Sequence, residues 1–252
     1  KVLAAEAAGV LGRAEAVACY YEVDRHIKTG DFPLLCEDVA EHRIAGIFFS
    51  PQARLLEDTP ILEDRSIPKV SIQSNMEVQR HWPFINLSHG FLERAIAYLD
   101  EERGFRDIAL ISPVGATNHR NFPKLMKARK LNYAPWWEQA VDSHALEWVE
   151  NLTMAMLRGK PSERPQALII GDDNLIEFAC KGIARLGLTS DDICVVTHCN
   201  FPETLPVDFE VVRLGYDTRE VLRTGFDLLR AQREGRPVER EYRIMPKFSW
   251  EL

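Results

Sequence analysis

The sequence predicts an α/β protein with two doubly wound lobes, each built on a parallel sheet. Short apolar runs typical of buried strands alternate with amphipathic helical segments, and this alternation continues through both halves of the chain. The 252 residues suggest two lobes, and 46% of them are hydrophobic, so a substantial core can be buried without disulfide bonds.

In the first half, strands are predicted where apolar runs are bounded by charged residues or proline. Helices cover both faces of a parallel sheet, so its buried strands are apolar at successive positions. Helices are predicted where apolar residues recur every three or four positions. Asp31 or Thr29 is the predicted cap of the second helix, and Gly104 ends the helix 88–103. In chain order, the predicted elements are helix 2–13, strand 16–23, helix 31–42, strand 44–50, helix 55–64, strand 69–74, helix 88–103 and strand 107–112.

The second half follows the same rules after a less regular start. Trp136 and Trp137 lie in an irregular stretch, residues 159–165 read as a loop with two prolines, and Gly187 stops a helix. The predicted elements are helices 119–131, 144–158, 173–186 and 217–232, and strands 166–170, 193–196, 209–214 and 242–245.

Two points where the chain crosses between the lobes set the predicted domain bounds. Pro113 to Gly115 is the predicted crossover, and Leu214-Gly215 is the predicted return. The first lobe is predicted as residues 1–113 plus 215–236, and the second as residues 114–214 plus 237–252.

Charge and composition exclude several partners. The 31 Lys and Arg against 38 Asp and Glu give a net charge of −7, so this chain has no positive field to hold a phosphate backbone. No apolar run approaches the ~20 residues that cross a bilayer, so no membrane contact is expected. The five cysteines form an odd set without a CxxC pair, which favours free thiols and the cytoplasm.

Motifs for catalysis, metals and nucleotides are missing. The seven histidines show no metal-ligand spacing, and the sequence has neither a GxSxG elbow nor a glycine-rich phosphate loop. We therefore expect no cofactor, no metal and no enzymatic activity.

Polar residues cluster just after predicted strands, where ligands bind in open α/β sheets. Gly171-Asp172-Asp173-Asn174 is richer in acids than one helix cap requires, although each of these residues could equally serve a turn or a cap. Trp82, Trp136 and Trp137 lie in polar or proline-containing segments, where an open ring suits stacking on a sugar; plugging the edge of a lobe is the alternative.

Two blocks resemble the effector-binding domain of the lac/galactose/purine repressor family. The first runs from Ala167 to Asp173, continues through a helix to Gly187-Leu188, and ends with the strand 191–196. The second begins at Ile67-Pro68-Lys69-Val70 and ends at Gly104-Phe105-Arg106-Asp107-Ile108-Ala109. In order and spacing the blocks resemble the family over nearly the whole chain.

The resemblance implies the fold of type I periplasmic binding proteins, with a small effector, a sugar or a nucleobase, in a cleft between two lobes. It also implies a cytoplasmic homodimer that contacts DNA through a separate helix-turn-helix head. That head is expected to be absent from this chain.

Some family positions differ here. Asn118 stands where an arginine is usual, with Arg120 as a substitute, while Cys199 replaces an acid and Asn86 replaces a frequent aspartate. The predicted ligand-binding residues are Ser50, Gln52, Asn75, Trp82, Asn118, Arg120, Trp137, Asp172, Asp173 and Asn200.

Two rival functions share this fold class. One is a solute-binding protein of a sugar transporter, which the unpaired cysteines disfavour. The other is an enzyme that uses Asp172 or Asp173 as a general base, although no partner nucleophile is visible.

Overall fold

A computed structural model describes most of the chain, and its contacts divide the chain into two units. The first comprises residues 1–87 and 218–244, and the second comprises residues 88–217 and 245–252. The structure describes residues 18–23, 30–50, 56, 58–73, 82–87, 89–116, 118–142 and 145–252, so the predicted helix 2–13 lies outside the described residues.

In chain order, the helices are α1 Phe32–Ala40, α2 Pro60–Glu63, α3 Phe91–Ala97, α4 Asn118–Ala128, α5 Trp148–Leu157, α6 Ile176–Arg185 and α7 Thr218–Arg233. The strands are β1 Ile47–Phe49, β2 Lys69–Gln73, β3 Phe84–Asn86, β4 Ile108–Pro113, β5 Glu138–Val141, β6 Ala167–Ile170, β7 Cys194–Phe201, β8 Val212–Asp217, β9 Glu241–Arg243 and β10 Lys247–Phe248. A π-helical segment, Tyr98–Glu102, extends α3, and short 3₁₀ helices occupy Pro135–Trp137, Asp173–Leu175 and Ser249–Glu251.

The first unit is built on a four-stranded sheet with the order β1-β2-β3-β9, and all of its pairs are parallel. Helix α7 packs on β1, β2 and β3. Gly225 of α7 allows this approach, because a Cβ there would lie 2.1 Å from the Phe48 ring. The core beside α1 and α2 consists of Leu35, Val39, Phe49, Leu56, Ile61, Leu62 and Ile67.

The second unit is built on a six-stranded sheet with the order β10-β8-β7-β6-β4-β5, parallel except for the pair of β10 with β8. Its central strands β4 and β6 are buried on both faces. Ala109 and Ile111 of β4 join one core cluster with α5 and α6, while Ile108 and Leu110 join the other with α3 and α4. Successive strand residues point to opposite faces, so this division is the packing that a doubly wound sheet requires.

The two mostly parallel sheets confirm the predicted fold class. One predicted strand is wrong: residues 18–23 of the predicted strand 16–23 are described and are not a strand. Instead, the Tyr21 N–H donates to an Asp31 carboxylate oxygen at 2.7 Å, and the Tyr21 carbonyl accepts from the Asp31 N–H at 3.0 Å. The backbone of this segment therefore bonds to the turn that precedes α1.

The division into units also differs from the predicted lobes. Residues 88–113 belong to the second unit because β4 pairs with β5 and β6. Residues 237–244 belong to the first unit because β9 pairs with β3. Sheet pairing between distant segments decides both bounds, and no local composition signal marks them.

Candidate functional site

The carboxyl ends of four parallel strands of the second sheet form the candidate site. Strands β4, β6, β7 and β8 are neighbours that run in the same direction, so the residues at their carboxyl ends meet at one edge. The polar residues at or just after these ends are Ser112, Asp172, Asp173, His198, Asn200 and Tyr216.

Asn118 is held tightly against this edge. Its Nδ2 donates to Oγ of the fully buried Ser112 at 3.0 Å. A Cβ on Gly171 would lie 2.6 Å from Ser112 Oγ and 2.7 Å from Asn118 Nδ2, so only glycine fits between β6 and this pair. The absence of a side chain at 171 therefore makes the close approach of Asn118 possible.

Both ring nitrogens of His119, near the start of α4, contact the sheet. Its Nδ1 lies 3.1 Å from Glu138 Oε1, and its Nε2 lies 3.2 Å from the Ser112 carbonyl oxygen. The Tyr133 hydroxyl donates to Glu138 Oε2 at 2.7 Å, and burial together with this hydrogen bond raises the pKa of Tyr133 to about 12. These contacts fix the helix turn that carries Asn118.

Asp172 and Asp173 engage neutral donors. Asp172 Oδ1 accepts from the backbone N–H of Asn174 at 2.9 Å and from its Nδ2 at 2.8 Å, which caps the 3₁₀ turn. Asp173 Oδ2 accepts from Asn200 Nδ2 at 2.8 Å. Within the described part of the chain, no lysine or arginine forms an ion pair with either aspartate.

His198 lies between two aromatic rings next to this acidic pair. Its ring centroid is 5.4 Å from that of Phe91 and 5.8 Å from that of Tyr216. Nδ1 is buried and has no hydrogen-bond partner among the residues that the structure describes. Burial lowers the pKa of His198, while the charges of Asp173 and Asp172 oppose that shift. The imidazole is therefore neutral at neutral pH.

Residues 198–200 follow the predicted strand 193–196, but the predicted ligand-binding residues include only Asn200 and not His198. The signal was available in the period of two along β7, which puts residues 198 and 200 on one face of the sheet. Cys199 points to the other face and is buried, and this burial raises the pKa of its thiol to about 12. The thiol at this position is therefore protonated, in contrast to the acid usual in the family that the sequence resembles.

The structure brings together four of the predicted residues, namely Asn118, Asp172, Asp173 and Asn200. Trp137 is not an open stacking surface as predicted, because only 8% of it is exposed and it belongs to a hydrophobic core cluster.

The remaining predicted residues have separate surroundings. Ser50 is exposed after β1, and Arg120 is exposed on α4. Trp82, in the first unit, donates from Nε1 to Ser71 Oγ at 3.3 Å, and its ring lies 6.0 Å from that of Phe49. The two other predicted residues, Gln52 and Asn75, lie outside the described residues.

The described ranges contain no group of three or more His, Cys, Asp or Glu side chains that could hold a metal ion. They also contain no helix with the length and hydropathy needed to span a membrane.

Comparisons with known proteins identify the fold. No protein-family model and no curated protein matches the chain. Among solved structures, a LacI-family regulatory protein from Chloroflexus aggregans is 19% identical with a TM-score of 0.71, covering 86% of this chain and 79% of that one. A LacI-family transcriptional regulator from Lactobacillus casei with bound sucrose is 17% identical, with a TM-score of 0.63 and coverages of 86% and 82%.

The transcription regulator CcpA of Lactococcus lactis is 13% identical, with a TM-score of 0.66 and coverages of 86% and 80%. These similar structures agree with the resemblance that the sequence blocks indicated. The chain therefore has the fold of LacI-family regulatory proteins.

Proposed function

We propose that this chain is the effector-sensing part of a transcription regulator and that it binds a small carbohydrate without transforming it. The observation that carries the proposal is the group of carboxylates and amides at the carboxyl edge of the second sheet, in a chain with the fold of LacI-family regulators. The similarity in fold supports the class of protein, and the polar residues at the strand ends support the position of the ligand site.

The chemistry of the edge suits hydroxyl groups. A sugar hydroxyl both donates and accepts, so it can donate to the carboxylates of Asp172 and Asp173 and accept from the amides of Asn118 and Asn200. The Lactobacillus casei regulator is described with bound sucrose, with glucose and with Tris, all of which carry several hydroxyls. This similarity supports a polyhydroxylated ligand here.

We assign ligand contact to Asn118, Asp172, Asp173, Asn200 and, in addition, His198. Arg120, Ser50, Gln52, Asn75 and Trp82 stay predictions from the sequence.

Regulation requires that the effector bind one conformation of the protein more tightly than another, because only differential affinity shifts a conformational equilibrium. The net charge of −7 leaves the DNA contact to a basic segment outside these 252 residues. We further propose that the protein is a homodimer, through surfaces of the first lobe, and that it acts in the cytoplasm. Its five cysteines, all free, are consistent with a reducing compartment.

A thermal-shift screen against pentoses, hexoses, uronic acids and nucleobases tests the proposal, since a ligand that binds the native state raises the melting temperature. We expect one class to stabilise the protein and Asp173→Ala to abolish that shift. Asp191→Ala is the matched control: it removes the same charge from an exposed position before β7, at the opposite end of that strand. An unchanged shift in Asp173→Ala would contradict the assigned site.

A second measurement separates a regulator from a transporter's solute-binding protein. The full-length protein should bind DNA from its own promoter region, and the stabilising ligand should change that affinity. Ligand binding without any DNA binding by the full-length protein would favour the transport function.

A further inference from the structure

We infer that the carboxyl edge of the second sheet prefers a polyhydroxylated ligand carrying a protonated amine and rejects the corresponding carboxylate. This inference rests on the proposed function, because it assumes that the edge is the effector site. It adds the charge of the ligand, which neither the fold nor the similar structures specify.

The first argument is the number of open acceptors. Asp172 uses Oδ1 for both contacts with Asn174, and Asp173 uses Oδ2 for its contact with Asn200. Within the described residues, Asp172 Oδ2 and Asp173 Oδ1 accept no hydrogen bond. Two carboxylate oxygens on adjacent residues therefore remain for donors on a ligand, and a carboxylate accepts most strongly from a cationic N–H.

The second argument is that the charge of this pair is not compensated locally. The donors to Asp172 and Asp173 are amides and a backbone N–H, all of them neutral. His198 faces both aspartates, yet its burial between Phe91 and Tyr216 keeps the ring neutral at neutral pH. Both negative charges therefore act on whatever occupies the edge.

The third argument is the contrast with other acids of the same unit. Asp100 and Glu101 both pair with Arg129, at 3.2 and 2.7 Å. Asp192 pairs with Arg164 at 3.0 Å, and Glu251 pairs with Arg94 at 2.6 Å. Arginines of this unit therefore form ion pairs with these four acids. Asp172 and Asp173 form no ion pair with an arginine of the described residues.

These observations set a definite order of affinity. A ligand ammonium would form charge-assisted hydrogen bonds with both free oxygens, so an amino sugar should bind about five- to tenfold more tightly than the sugar with a hydroxyl at that position. A ligand carboxylate would add a third negative charge beside the pair, so the matching uronate should show no binding.

The test uses matched probes on the whole 252-residue chain. 6-Amino-6-deoxygalactose, galactose and galacturonate form one series, and 6-amino-6-deoxyglucose, glucose and glucuronate form another, so that the members of each series differ only at C6. Dissociation constants are measured by calorimetry at low ionic strength for the wild type, Asp173→Asn and Asp191→Asn. Asp173→Asn keeps an oxygen that can accept from Asn200, removes the charge and replaces the open acceptor oxygen with an NH2 donor.

In at least one series, we expect the amino sugar to bind most tightly, the neutral sugar more weakly and the uronate not at all. Asp173→Asn should reduce the preference for the amine to about twofold or less, because one of the two charges is gone. The exposed Asp191→Asn should leave the preference unchanged, and added salt should weaken it in the wild type.

Several results would overturn the inference. One is that the uronate binds as tightly as the amino sugar or more tightly, and another is that Asp173→Asn keeps the full preference for the amino sugar. A third is that none of the six sugars binds. A fourth is that ethanolamine binds as tightly as the amino sugar, which would indicate unspecific attraction of cations. A failure of this inference can be distinguished from a failure of the proposed function. If a neutral or anionic compound from the wider panel binds and Asp173→Ala abolishes its binding, the effector site stands and only the charge preference is wrong.

Discussion

Acids of the two sheets that bond to a strand-end asparagine differ in how they are paired. In the first unit, Glu241 Oε1 accepts from Asn86 Nδ2 at 2.8 Å and from Arg243 Nε at 2.7 Å. In the second unit, Asp173 accepts from Asn200, and no cation of the described residues pairs with it. The Glu241 carboxylate is therefore paired with an arginine, whereas Asp173 has no cationic partner among the described residues.

This difference separates acids that hold a fold together from acids available to a ligand. A carboxylate bonded to both an amide and a guanidinium already has its charge and part of its hydrogen-bonding capacity satisfied within the protein. A carboxylate bonded to one amide retains a free oxygen and its full charge. Residue type alone does not distinguish Glu241 from Asp173, and their hydrogen-bond and ion-pair partners do.

The largest expected effect comes from Gly171 in the second unit. In Gly171→Ala, the new Cβ would lie within 3 Å of the Ser112 hydroxyl oxygen and the Asn118 amide nitrogen, so the edge must shift. We expect the free energy of unfolding to fall by about 2 kcal/mol in urea titrations, and the ligand-induced thermal shift to disappear. Gly46→Ala in the first unit is the control, because its Cβ would lie 3.2 Å from Leu229 Cδ2, where the flexible side chain can yield. Equal losses in both variants would show that Gly171 has no special relation to the site.

A smaller effect should distinguish the two acids directly. Glu241→Ala removes an acceptor from Asn86, a residue that is only 2% exposed, so we expect a loss of about 1 kcal/mol in the free energy of unfolding. Asp173→Asn keeps an acceptor for Asn200 and should cost less than about 0.5 kcal/mol while weakening ligand binding. Urea titrations of both variants measure the stability, and calorimetry measures the binding. If Asp173→Asn proved as destabilising as Glu241→Ala, the second edge would also be structural.

The smallest effect concerns the pH dependence of the second edge. Burial holds the pKa of His198 below its usual 6.5, against the attraction of Asp173 and Asp172. The unfolded chain therefore takes up a proton at this residue more readily than the native protein, so the stability falls as the pH drops below about 6.5. Tyr216, the other titratable group packed on the ring, keeps its proton because burial raises its pKa.

His198→Phe should remove that part of the pH dependence, because phenylalanine packs between the same two rings without titrating. The urea midpoints at about pH 7.5 and about pH 5.5 should differ less in this variant than in the wild type. His42→Gln, a surface change in the first unit, is the control and should keep the wild-type difference. A His198→Phe variant with the full wild-type difference would contradict the neutral, buried imidazole.

The sequence predicted the long apolar strands and missed strands that are half polar or very short. Strand β6 was predicted within one residue, because Ala167–Ile170 is fully buried and uniformly apolar. Strand β5 contains Glu138 and Gln139 and was missed, because it lies at the edge of the sheet and needs little apolar surface. Strand β3 has only three residues, too few for a period to be visible.

For the candidate site, the position of a residue after a strand was predictable, and its partners were not. Asp172, Asp173 and Asn200 were identified because strand ends can be located from local patterns. Trp137 was assigned to the ligand from its polar neighbours, but its burial depends on helices and strands that are distant in sequence. His198 was omitted for the same reason, since the rings on either side of it come from α3 and β8.

The sequence by itself determined the alternating α/β architecture, the net charge that speaks against DNA contact by these residues, and the strand ends at which polar groups accumulate. Each of these depends on composition or on a local period, which are properties of neighbouring residues. Only the tertiary structure decided the bounds of the two units, the burial of Trp137 and the pairing of the acids. Those depend on contacts across long separations, such as 155 residues between Asn86 and Glu241 or 27 between Asp173 and Asn200, and a local pattern contains no record of such contacts.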